Sequence, residues 1–99
     1  MTYEVHYERL RQGFSVLLFD LSATWPEQDI AYVHDEVASS EFEDALENLI
    51  AIGLRDDKGL TADHARQIEA LAAAMGIRSS PFLARLRDIF GTSSCRASP

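Results

Sequence analysis

Apolar residues recur through most of the chain at intervals of three and four positions, the spacing that places them on one face of a helix. The recurrence predicts five helices, which we place at residues 2–19, 25–38, 41–52, 62–75 and 81–90. No alternation of apolar and polar residues between turn signals indicates a hairpin, although the short run 16–19 is also compatible with a strand. The sequence therefore predicts an all-α fold, a compact single-domain bundle of four to five antiparallel helices joined by short loops.

Polar residues at the expected helix ends agree with this division. Thr24 and Ser40 each precede a glutamate by three positions, which is the arrangement of a capping box, and they predict the starts of the second and third helices. Thr61 predicts the N-cap of the fourth helix. Gly76 predicts the end of that helix, because glycine readily adopts the left-handed conformation found at such ends.

The third predicted helix separates its apolar and acidic residues most clearly. Its apolar positions share one face: Phe42, Leu46, Leu49, Ile50 and Gly53. Its polar and small positions fall on the flank or the opposite side: Glu43, Asp44, Glu47, Asn48 and Ala51. We therefore expect this helix to bury the first face and to present its carboxylates to solvent.

The length of 99 residues corresponds to one domain. We expect residues 1–91 to form the helical bundle and residues 92–99 to form a flexible C-terminal tail. A single cysteine, Cys95, excludes an internal disulfide, and neither a secretion signal nor an apolar stretch of membrane-spanning length is present. These features predict a cytoplasmic protein that does not enter membranes.

The formal net charge is −7, and its distribution is uneven. Residues 27–57 contain ten acids and a single base, Arg55, so this third of the chain carries −9. Such a surface repels nucleic acid, whose recognition depends on lysine and arginine, and it attracts basic proteins. A solvated acidic face that only keeps the protein soluble is the alternative interpretation.

Residues typical of catalysis or metal binding do not form a recognisable motif. The histidines His6, His34 and His64 are not spaced as metal ligands with each other or with Cys95. We expect His34 to lie at the edge of the core, because it shares the apolar side of its helix with Val37. A glycine-rich phosphate loop is missing as well. We therefore predict no enzymatic activity, no cofactor and no metal site.

The acidic third helix also resembles a known motif. This motif is found in the MafI-like immunity proteins, which accompany bacterial polymorphic toxins and contact-dependent inhibition systems. In order along the chain, the family favours glutamate, an aromatic residue, two variable positions, alanine, an aliphatic residue, glutamate, any residue and leucine. The positions that match this motif are Glu41, Phe42, Ala45, Leu46, Glu47 and Leu49. The positions that resemble the family's following turn and capped helix are Leu60, Thr61, Ile68, Leu71, Met75, Gly76 and Ile77.

This resemblance covers residues 30–77, about half of the chain. The chain departs from the family pattern where a further glutamate often follows the acidic helix, since it has Arg55 and then Asp56 there. Residues 79–90 have no clear counterpart in the family. The resemblance implies stoichiometric inhibition of a cognate toxin C-terminal domain, expected to be a nuclease and therefore basic.

If the chain acts in this way, we expect its exposed carboxylates to bind the toxin. The predicted contact residues are Asp35, Glu36, Glu43, Asp44, Glu47, Asp56 and Asp57. The alternative is a homo-oligomeric helical interaction module with no toxin partner. An exposed apolar stripe on the last helix, formed by Phe82, Leu86 and Ile89, would favour such a homodimer. A third possibility, an antitoxin that also binds DNA, is disfavoured by the acidic charge.

Overall fold

The computed structural model describes residues 2–55, 59–78 and 80–90, with side chains from residue 6 onward. These residues form five α-helices: α1 (Thr2–Leu21), α2 (Glu27–Ala38), α3 (Phe42–Arg55), α4 (Ala62–Ala74) and α5 (Pro81–Phe90). The described part of the chain contains no strand, and the run 16–19 lies within α1. The prediction of a small all-α bundle is therefore confirmed. None of the described helices combines the length and the apolar composition of a membrane span.

The core is organised around α3, which packs against α2, α4 and α5, while α1 packs against α2 and α4. The largest side chains that are fully buried come from all five helices: Phe14, Leu17, Leu21, Val33, Leu46, Leu49, Ile50, Ile68, Leu83 and Leu86. The predicted apolar face of α3 is buried along its whole length, which confirms the periodicity. Hydrophobic burial on three sides therefore fixes which side of α3 faces water.

The start of α2 differs from the prediction. Its N-cap is Pro26, and no side chain caps it. The Thr24 hydroxyl instead donates to the carbonyl oxygen of Leu21, at 3.5 Å, in the turn that ends α1. The predicted capping box at Thr24 is wrong, because the helix begins too late for this hydroxyl to reach its first turn.

The capping box predicted at Ser40 is also wrong. Ser40 has a positive φ of 62°, and its Oγ accepts a hydrogen bond of 2.8 Å from Arg11 Nη2 on α1. The carbonyl that opens α3 belongs to Glu41, which accepts from the amide of Ala45. The Arg11 guanidinium also lies 5.8 Å from the centroid of the Phe42 ring. Ser40 therefore helps to hold α1 against the α2–α3 turn rather than capping α3.

The predictions for α4 are confirmed at both ends. Thr61 Oγ1 accepts from the amide of His64, and the Thr61 amide donates to His64 Nδ1, each at 3.1 Å. These two bonds form a capping box in which histidine takes the place usually held by glutamate or glutamine. Gly76 follows the helix with a φ of +78°, the left-handed conformation predicted for it.

The carboxyl end of α3 lies very close to the segment before α4. A Cβ atom added to Gly53 would stand 2.6 Å from Leu60 Cγ. Leu60 is buried and belongs to the core, so a methyl group at position 53 would displace a core side chain. Glycine at position 53 is therefore a packing requirement, even though glycine costs roughly 1 kcal/mol in a helix relative to alanine.

We predict that Gly53→Ala lowers the free energy of unfolding by about 1–2 kcal/mol, because overpacking outweighs the gain in helix propensity. Chemical denaturation monitored by the fluorescence of Trp25, the single tryptophan of the chain, measures the change. In a Leu60→Ala background the same substitution should be neutral or stabilising. An equal loss of stability in both backgrounds would show that the contact with Leu60 is not the cause.

An ion pair connects α5 to α4. Arg87 Nε donates to Glu69 Oε2 and Arg87 Nη2 donates to Glu69 Oε1, both at 2.8 Å. The two side chains are 30% and 25% exposed, so water screens the pair only in part. Arg87 Nη1 also donates to the carbonyl oxygen of Arg78. This geometry is bidentate, which is the arrangement in which an arginine–carboxylate pair contributes most.

We predict that Arg87→Ala lowers the free energy of unfolding by about 1–2 kcal/mol, since two charge-assisted hydrogen bonds at a partly buried site are lost. Arg85 is exposed on the same helix and provides a matched control. Arg85→Ala should change stability by less than about 0.5 kcal/mol. Equal effects of the two substitutions in thermal unfolding would contradict a specific role for the ion pair.

Candidate partner-binding surface

The acidic residues of α2 and α3 meet across the junction of these two helices. Glu36 on α2 accepts two hydrogen bonds from Asn48 Nδ2 on α3, one to each carboxylate oxygen and both at 2.9 Å. Glu36 is half-buried, so its carboxylate is held in one orientation. The contact also brings the acidic residues at the start of α3 beside those at the end of α2.

A cluster of three carboxylates lies at this junction. One oxygen atom from each of Glu36, Glu41 and Asp44 lies within 4.8 Å of the other two. Glu41 and Asp44 are exposed, and the amide donors at the start of α3 favour nearby negative charge. The cluster concentrates negative charge at one point of the surface. Exposed carboxylates commonly group in this way without an ion.

Glu41 was missing from the predicted contact residues. In the sequence it appeared as the first residue of the acidic helix and as part of the family motif. Its proximity to Glu36 arises from the sharp turn at Ser40, whose positive φ brings α3 back along α2. No local pattern in the sequence indicates this turn, because serine adopts a positive φ infrequently.

The remaining predicted residues extend this surface. Glu43 is exposed in the first turn of α3, Glu47 is half-buried one turn later, and Asp35 is exposed on α2. Asp56 and Asp57 lie outside the described residues. We use the name acidic surface for the described set, formed by Asp35, Glu36, Glu41, Glu43, Asp44 and Glu47.

One pair of carboxylates within the acidic surface opposes helix stability. Glu43 and Glu47 are four residues apart on one helix, and like charges at that spacing are unfavourable by roughly 0.2–0.5 kcal/mol. Glu43 and Asp44 gain from the positive end of the helix, but Glu47 lies beyond the first turn. The hydrogen bonds from Asn48 stabilise only Glu36. Part of the negative charge is thus not stabilised by hydrogen bonds within the described residues.

An exposed aromatic side chain lies next to the acidic surface. Tyr32 on α2 is 54% exposed. It precedes Asp35 by three residues and Glu36 by four, so all three lie on neighbouring parts of the helix surface. The sequence-based predictions did not include Tyr32. Its position within an amphipathic helix does not by itself distinguish an exposed aromatic from one at the edge of the core.

One further prediction concerns the side chain of His34. His34 is exposed rather than at the edge of the core, because the buried face of α2 is narrow and its buried residues are Val33 and Val37. Trp25 is buried just before α2, and its indole Nε1 has no hydrogen-bond partner among the residues that the structure describes.

The exposed apolar stripe considered for the last helix is not present. Leu86 is fully buried and Phe82 is partly buried against the core, whereas Ile89 is 59% exposed. The reason is that α5 packs against both α3 and α4, so its apolar face is used within the bundle. The observation that would have favoured a homodimer through α5 is therefore lacking.

The acidic surface and Tyr32 together combine negative charge with exposed apolar area. The carboxylates come from two packed helices and the turn between them, and the aromatic side chain lies beside them on α2. Such a surface offers charge complementarity and one anchor of the type that dominates many interfaces. Comparison of the chain with protein-family models, with curated proteins and with solved structures finds no match in any of the three.

Proposed function

We propose that this protein is an immunity protein that binds and neutralises a cognate toxin domain of a polymorphic, contact-dependent inhibition system in the cytoplasm. The acidic surface is the contact region, and the toxin domain is basic and of nuclease type. The proposal rests on one observation: acidic residues from two helices lie together at one surface. The resemblance of residues 30–77 to the MafI-like immunity proteins gives the class of partner.

The electrostatics support a basic partner. Residues 27–54 contain no lysine or arginine. The negative potential over α2 and α3 is therefore not reduced by basic side chains from these residues. A field of this kind accelerates the encounter with an oppositely charged protein by 10-fold to roughly 1,000-fold at low salt. Because the Debye length is about 8 Å at physiological ionic strength, the acceleration weakens as salt is added.

Rigid presentation supports a tight complex. The acidic surface lies on two helices whose opposite faces are buried in the core, and Asn48 fixes the Glu36 carboxylate. A surface that is ordered before binding loses less conformational entropy on association. Tyr32 adds apolar area next to the carboxylates, which favours a long residence time once the charges have guided the encounter.

We predict that the charge-reversed variant with Glu43→Lys, Asp44→Lys and Glu47→Lys folds but associates at least about tenfold more slowly with the toxin domain at low salt. The measurement is surface plasmon resonance against the toxin domain that co-purifies with the native protein. Circular dichroism checks that the helices are retained.

The matched control reverses three exposed acids outside α2 and α3, namely Glu8, Asp63 and Asp88. Each lysine replacement adds two charges, so both variants change the net charge from −7 to −1. The control should retain most of the association rate. Equal rates for the two variants would show that overall charge acts rather than the acidic surface.

A second prediction concerns Tyr32. Tyr32→Ala should increase the dissociation rate by about tenfold and leave the association rate nearly unchanged, because a buried anchor acts after the encounter. Phe19→Ala, which removes a different exposed aromatic residue on α1, provides the control and should change neither rate. An unchanged dissociation rate for Tyr32→Ala would exclude this residue from the interface.

A further inference from the structure

We draw no further inference here: the strongest candidate, the open apolar face of α1 and α4 formed by Val16, Phe19 and the groove beside Gly13, carries none because nothing in the structure shows what covers it.

Discussion

The burial of α3 among α2, α4 and α5 is the interaction on which the other features of the bundle depend. Leu46, Leu49 and Ile50 are almost completely shielded from water, and each contributes roughly 1.5–3 kcal/mol by leaving it. Rotation of α3 about its axis would expose these residues and bury carboxylates. The core therefore determines that Glu43, Asp44 and Glu47 lie on the outer side of the helix.

The same constraint explains why the acidic surface is tolerated. Repulsion between carboxylates at helical spacing is small compared with the burial of three large aliphatic side chains. The acids contribute little to the fold apart from Glu36, whose hydrogen bonds with Asn48 connect α2 to α3. Residues that oppose local stability without forming the core are typical of functional surfaces, which supports a role in binding a partner.

Much of the fold could be predicted from the sequence because apolar periodicity and glycine or N-cap signals act locally. Thr61 and Gly76 behave as predicted, since each depends on residues within one turn. Ser40 does not, because its hydroxyl accepts a hydrogen bond from Arg11, which is 29 positions away. Thr24 does not either, because its hydroxyl donates to Leu21 at the end of α1 instead of capping α2. The sequence likewise left open whether Leu86 is exposed, because periodicity shows which face of α5 is apolar but not what covers it.

The candidate site was predictable only in part. Composition identified the acidic segment, and helical spacing placed Glu43, Asp44 and Glu47 outward. The proximity of Glu41 to Glu36 required the turn at Ser40. The groove beside Gly13 likewise required α4 to pack next to α1. Both arise from contacts between segments, which spacing along one helix does not reveal.

We propose a basic protein as the partner of the acidic surface. The claim that matters most is the identity of the basic partner. Its most direct test is affinity capture of the tagged full-length protein from a lysate of its own cells, with identification of bound proteins by mass spectrometry. The account predicts recovery of a toxin C-terminal domain at one-to-one stoichiometry. Recovery of this chain alone, from a lysate shown to contain the candidate toxin, would contradict it.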